Sequence, residues 1–137
     1  MRIVFDTNIY IAAALKGGFS ENIIEMAALR AVMLITSEEI LTELKQKLLA
    51  KFYWKENEAD FFINYIRKIS EVIRISEVVS VISRDPDDNK ILACAKEGKV
   101  DLIVSADQDL IKLKVFEGIV IIHPKTLSYT FPRYFKR

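Results

Sequence analysis

The apolar residues of this chain change period several times, and each change marks an element. Arg2–Phe5 is apolar after its arginine with no alternation, as expected of a short strand covered on both faces. Residues 9–15 read as a short apolar helix closed by Gly17-Gly18. Ser20 can cap a helix carrying Ile23, Ile24, Ala27, Ala28 and Leu29. Residues 32–35 form a second strand. Thr36, with Glu39 three positions on, makes a capping box for a helix carrying Ile40, Leu41, Leu44 and Leu48. A polar and aromatic break at residues 52–57 precedes a longer helix. Its buried stripe is expected to hold Phe61, Phe62, Tyr65, Ile66, Ile69 and Val72. Residues 73–82, rich in β-branched side chains, should hold a short third strand and a loop. Asp85-Pro86 starts a helix, with Asp as N-cap and Pro in the first turn, and Gly98 ends it as a left-handed stop. Residues 102–105 are a fourth strand, residues 107–113 a turn and short helix, and residues 119–122 a fifth strand. The alternation predicts one α/β domain over residues 1–137, with a parallel sheet between helices and right-handed crossovers.

Composition narrows the function classes. Formal net charge is +1, so bulk charge does not draw the chain to a polyanion, and any nucleic-acid site must rest on local patches. No apolar run approaches a membrane span, and the N-terminus lacks the pattern of a signal peptide. A single cysteine, Cys94, excludes an internal disulfide and a cysteine-based zinc site. The expected setting is a reducing cytoplasm.

Candidate chemistry lies where the elements end. In a parallel α/β sheet, ligands bind beyond the carboxyl ends of the strands at a topological switch point. Asp6 follows the first strand. Asp107 and Asp109 follow the fourth, and Asp85, Asp87 and Asp88 open a helix. Glu43 lies about two turns into the helix after the second strand, beside its buried stripe. Each acid has a plainer use alone: a strand-end turn, an N-cap or a favourable charge at a helix start. Their coincidence at successive element ends favours a common site of Asp6, Glu43, Asp88 and Asp107. Converging carboxylates repel, and their pKa values rise unless a cation neutralises them. Oxygen donors without histidine or cysteine suit Mg²⁺ or Mn²⁺. Such an ion serves phosphodiester hydrolysis.

The segments "IVFDTNIYIAA", "TSEEILTELKQKL", "RDPDDNKILACA" and "DLIVSADQDLI" occur in the order and at the spacing of the PIN domain family, which the chain resembles over nearly its whole length. The likeness is greatest to the compact prokaryotic members that include the VapC-type toxins. "DPDDN", where a bare acid–alanine pair is usual, places it nearer a less-studied toxin-like branch. The resemblance implies a three-layer α/β/α sandwich around a five-stranded parallel sheet and a Mg²⁺- or Mn²⁺-dependent ribonuclease site. Carried over singly, the four acids are Asp6, Glu43, Asp88 and Asp107, with Asp109 as an additional acid. Thr7, Asn8 and Ser105 match the small polar residues that orient the first and last acids. The role implied is that of a toxin paired with a cognate antitoxin protein, in a homodimer.

Rival chemistry is thin. His123, the only histidine, reads as a strand-end residue, with no nucleophile elbow to partner it. Cys94 shares an apolar helix face. A haloacid-dehalogenase-type phosphatase needs an aspartate at position 8, where Asn8 stands, and a receiver domain needs paired acids near the first strand. The second function class is a PIN-fold metal- and RNA-binding module that works chiefly through a protein partner. Carboxylates and metal read phosphates and not bases, so RNA binding should depend on cations beside the motif acids: Arg84, Lys90 and Lys112. Single-stranded RNA fits best, because its bases can splay onto aromatics. The ending "SYTFPRYFKR" mixes aromatics and cations, as either a nucleic-acid arm or a docking tail. Large apolar residues, Tyr53, Trp54, Phe61 and Phe62 among them, point to a two-fold dimer built from helices between residues 20 and 70.

Overall fold

Three consecutive apolar residues in the first strand need cover on both faces, since neighbours in a strand point opposite ways. The computed structural model, which describes residues 1–16, 19–76 and 86–134, provides it: Ile3, Val4 and Phe5 are fully buried. The described elements run β1 (Arg2–Phe5), α1 (Thr7–Lys16), α2 (Phe19–Ala28), β2 (Met33–Ser37), α3 (Glu38–Ala50), α4 (Glu56–Ile69), β3 (Ser70–Ile73), α5 (Pro86–Glu97), β4 (Leu102–Val104), α6 (Gln108–Leu113), β5 (Val115–Phe116), β6 (Ile119–Ile122) and α7 (Pro124–Thr130), then a 3₁₀ turn. The fold is α/β with a mostly parallel central sheet. Among the described residues its strand order is β3-β2-β1-β4-β6-β5. The chain moves outward from β1 to β3, then returns to the other side of β1 with β4. The switch point is the crevice between β1 and β4, which pair in parallel through Ile3–Leu102, Val4–Ile103 and Phe5–Val104.

The sheet differs from the five parallel strands expected. Five strands are parallel, and β5 adds a sixth that pairs antiparallel with β6. Lys114, Glu117 and Gly118 take positive φ around it, which turns the chain back within a few residues. A two-residue strand has no period for a sequence pattern to reveal.

Three local expectations also shift. Thr36 remains within β2, opposite Val72 of β3, and pairing continues to Ser37 and Ile73. The helix cap is therefore Ser37, whose Oγ accepts from the Ile40 amide at 3.1 Å. In α4 the buried stripe runs through Ala59, Ile63 and Ile66, while Phe61 is 72% and Tyr65 41% exposed. Positions 61 and 65 form a second possible stripe two residues out of phase with 59 and 63, and the structure buries the latter. Phe62 stays partly buried, edge-on to Trp54 with ring centroids 6.0 Å apart; the α3–α4 connection is pinned there, and the Trp54 amide donates to Leu48. Val72 lies in β3 and not on the helix. Asp85, Arg84 and most of the segment before them lie outside the described residues.

Gly98 ends α5 for a different reason from the one expected. The left-handed residue is Lys99, with φ 52°. Gly98 is required by close approach: a Cβ there would stand 2.7 Å from Ile35 Cγ2 and 3.0 Å from the Cys94 carbonyl. The Gly98 carbonyl accepts both Nε and Nη2 of Arg2, at 3.0 and 2.8 Å, tying the start of β1 to the end of α5. Gly98→Ala should therefore destabilise the protein by about 1–3 kcal/mol through overpacking. Chemical denaturation measures this, and a neutral or stabilising outcome would show that Ile35 has room to move.

Candidate metal centre

β1 and β4 end side by side, and their register places the two strand-end acids together. The Asp6 amide donates to the Val104 carbonyl at 3.0 Å, and the Ser105 amide to Ile122 at 3.0 Å. Asp6 and Ser105 are thereby neighbours across the crevice. The Ser105 hydroxyl donates to Asp6 Oδ2 at 2.7 Å and accepts from the Asp107 amide at 2.9 Å. One fully buried serine thus joins the first strand-end acid to the last. Asp107 Oδ1 in turn caps α6, accepting from the amides of Asp109 and Leu110 at 2.9 and 3.2 Å. The capping role that the sequence allowed for Asp109 belongs to Asp107.

The remaining acids come from helices. Asp88 is buried in the first turn of α5, which packs on β1 and β2. Carboxylate oxygens of Asp88, Asp107 and Asp109 come within 4.8 Å of one another. Glu43, on α3, is 5% exposed. Its Oε2 takes the Lys47 ammonium at 3.1 Å, and its Oε1 is buried with no hydrogen bond among the described residues.

Electrostatics reflect this crowding. Burial raises the Asp6 pKa; the Ser105 hydrogen bond works against it and the like charge of Asp107 adds to it. Burial also raises Glu43, against the opposing hydrogen bond from Lys47. Burial would lower Lys47, but its hydrogen bond and charge pairing with Glu43, reinforced by Asp87 and Asp6, prevail and raise it. Asp87 ends below its ordinary value: burial works upward, and the Lys90 hydrogen bond leads the interactions that outweigh it.

The other expected site residues differ in exposure and pairing. Thr7 is buried at the start of α1, and Asn8 beside it is exposed. Lys112 is exposed on α6. Lys90 pairs with Asp87 at 3.1 Å, so part of its charge is already met within the site. Arg84 lies outside the described residues. Lys47 was not among the residues the sequence singled out. Its signal was present: it lies one turn after Glu43, between Leu44 and Leu48 on the inward face of α3. His123 caps α7 through Nδ1, which accepts from the Lys125 amide, and Cys94 is a buried thiol pushed up to about 12 by burial.

A family model described as the PIN domain matches residues 2–109. No curated protein matches the chain significantly. Among solved structures, it is similar to VapBC2 from Rickettsia felis bound to a DNA fragment from their promoter, at 17% identity and a TM-score of 0.64, covering 90% of this chain and 98% of that one. It is similar also to PAE2754 from Pyrobaculum aerophilum, at 15% identity and a TM-score of 0.60, covering 96% and 89%. At these identities the likeness is one of fold.

The raised Asp6 pKa has a signed consequence for stability. A carboxyl that holds its proton more firmly when folded favours the folded state below its ordinary value of 3.8, and that contribution is lost as pH rises through the raised value. Each tenfold difference in proton affinity corresponds to about 1.4 kcal/mol. Asp6→Asn keeps an acceptor for Ser105 and removes the charge. It should raise the melting temperature of metal-free protein by a few degrees near neutral pH, and the gain should shrink as pH falls towards 3.8. Melting curves across pH test this; a lower melting temperature at neutral pH would mark Asp6 as a structural turn residue.

Proposed function

Because the chain belongs to the PIN domain family, whose members are typically nucleases, we propose that its carboxylate centre binds Mg²⁺ or Mn²⁺ and that the protein hydrolyses RNA phosphodiester bonds. One observation carries the reading: oxygens of Asp88, Asp107 and Asp109 lie within 4.8 Å of one another, and Ser105 links Asp6 to Asp107 beside them. The donors fit a hard cation, being oxygens only, and Glu43 Oε1 is a buried oxygen with no hydrogen bond among the described residues. Asp88, Asp107 and Asp109 would hold the ion directly. Asp6 and Glu43 would complete the set, some contacts passing through water because Mg²⁺ dehydrates reluctantly. When bound, the ion activates water and offsets charge building on the phosphoryl oxygens.

The chain's own residues supply orientation. Ser105 fixes Asp6 against Asp107, buried Thr7 flanks Asp6, and exposed Asn8 is free to meet substrate. Lys112, Lys90 and Arg84 flank the motif acids in sequence and would meet the RNA backbone. Single-stranded RNA is the substrate class, for the reason that unpaired bases let a flexible backbone reach a recessed metal. The biological role proposed is that of a cytoplasmic toxin held by an antitoxin protein; fold likeness to the VapBC2 structure supports it. Among the described residues no helix is long and apolar enough to cross a membrane. The dimer proposed would use the face where Phe61 and Tyr65 are exposed beside Leu15.

Purified protein should degrade single-stranded RNA with Mg²⁺ or Mn²⁺, stop with chelator, and lose activity by about two orders of magnitude or more as Asp107→Asn. That substitution retains the Oδ1 cap, so the fold should survive. Faster cutting of duplex RNA would overturn the substrate class. Lys112→Ala should weaken RNA binding alike for all sequences and flatten the slope of log affinity against log salt by about 0.7; unchanged affinity would remove Lys112 from the entry path. Light scattering at micromolar concentration should give the mass of a dimer, and a monomer would refute the assembly.

A further inference from the structure

The row of residues that carries the first strand-end acid runs on past the centre. Phe5, Val104 and Ile122 are register partners across β1, β4 and β6. One residue further along, the row is Asp6, Ser105 and His123. The amides of Asp6 and Ser105 carry the ladder to that point, donating to Val104 and Ile122 at 3.0 Å. At the usual strand spacing, two steps put the His123 backbone about 10 Å from that of Asp6. His123 is half-buried. Its Nδ1 accepts from the Lys125 amide at 3.1 Å, so the neutral ring carries its proton on Nε2. Nε2 has no hydrogen bond among the described residues.

The chain around His123 is cationic. Between Leu110 and Thr130 it has one acid, Glu117, which follows β5 at the amino end of β6 and is met by Lys96 at 3.7 Å. Lys112, Lys114 and Lys125 are exposed and form no ion pair among the described residues. Lys114 is held beside β6, its carbonyl accepting the Ile121 amide at 2.9 Å. Lys125 is in the first turn of α7, and Tyr129, one turn on along the same face, is 83% exposed. Phe131, two residues later, packs instead against the core. On α3 and α5, by contrast, Lys47 and Lys90 are committed to Glu43 and Asp87. Phosphates flanking a cut among carboxylates need cations close by, and cations with an exposed aromatic ring suit a strand of unpaired bases. Resting on the ribonuclease reading above, we propose that single-stranded RNA runs from the carboxylate centre across the end of β6. Lys114, Lys125 and the His123 Nε2–H hold its backbone there, and Tyr129 stacks one of its bases. These are positioning residues: they set where the strand lies and take no part in the bond cleavage.

Fluorescence anisotropy on the full chain, with single-stranded RNA oligonucleotides of differing sequence and chelator to prevent cutting, tests the path. Lys114→Gln and Lys125→Gln should each weaken binding severalfold, alike for all sequences, and flatten the slope of log affinity against log salt by about 0.7. Tyr129→Ala should weaken binding about fivefold or more with the slope unchanged, and Tyr129→Phe should restore it. His123→Asn keeps an acceptor for the Lys125 amide and removes the Nε2 donor; it should weaken binding severalfold while melting near wild type. Lys99→Gln, before the start of β4 at the opposite edge of the sheet, is the control and should change nothing. A loss on Lys99→Gln as large as that on Lys125→Gln would mean diffuse attraction and overturn the path. Wild type that cuts RNA with Mn²⁺, its affinity and slope untouched by Lys114→Gln, Lys125→Gln and Tyr129→Ala, would overturn the path and spare the ribonuclease reading. Failure of wild type to bind or cut any RNA would overturn both.

Discussion

Carboxylates gathered at one edge of a parallel sheet repel one another, and the arrangement of this molecule comes from holding them there. The sheet brings the problem about: outward winding from β1 to β3 and return through β4 leave two strand ends adjacent, each followed within a few residues by an aspartate. Partial answers are distributed around them. Ser105 donates to Asp6, backbone amides of α6 donate to Asp107, the start of α5 turns the positive end of its dipole towards Asp87 and Asp88, and Lys47 pairs with Glu43. Each uses a donor from a different element. Of these donors only Lys47 carries a full charge. Repulsion among carboxylates this close is what a divalent cation would relieve, and without one it costs the protein stability.

The groups that bear this charge are held rigidly because they are extensions of the sheet. Asp6 is one residue past a fully buried strand, and its amide still belongs to the ladder through Val104. Asp107 is two residues past Ser105, whose amide continues the pairing with β6. Moving either carboxylate means breaking sheet hydrogen bonds, so their separation is set by strand spacing. Glu43 is placed less directly, through packing of α3 against β2 and α5, and it has a second tether in Lys47. A residue positioned by helix packing needs that tether more than one positioned by a strand.

This difference also explains what the sequence disclosed. The places of Asp6 and Asp107 just beyond strand ends were legible because a short apolar run followed by an acid reads as a strand and its exit in a βαβ chain. The helix start at Pro86 and the body of α3 carried equally direct signals. Choices between two adequate candidates were not legible. Thr36 and Ser37 can each cap a helix, and only pairing with β3, far along the chain, extends the strand to Ser37. The stripes through Phe61 and Ile63 are both apolar, and tertiary packing buries only the second. Gly98 has a role set by the distance to Ile35 across the fold. Lys47 was passed over because a lysine on a helix is ordinarily solvated, although its place one turn after Glu43 between Leu44 and Leu48 was a signal.

α1 links the chemistry to a groove with apolar and charged lining. Its first residue, Thr7, adjoins Asp6, while Ala13, Leu15 and Lys16 in its last turn line a groove of about 880 Å³ with Ile24, Phe61 and Tyr65. A ten-residue helix spans about 15 Å. The charged centre and the groove therefore lie at opposite ends of one rigid rod. A protein seated in the groove through apolar contacts alone would leave the carboxylates open. To close them it must extend along α1 by nearly that helix's length and bring a cation of its own, since an apolar segment laid over Asp6 and Asp107 would bury their charge without meeting it.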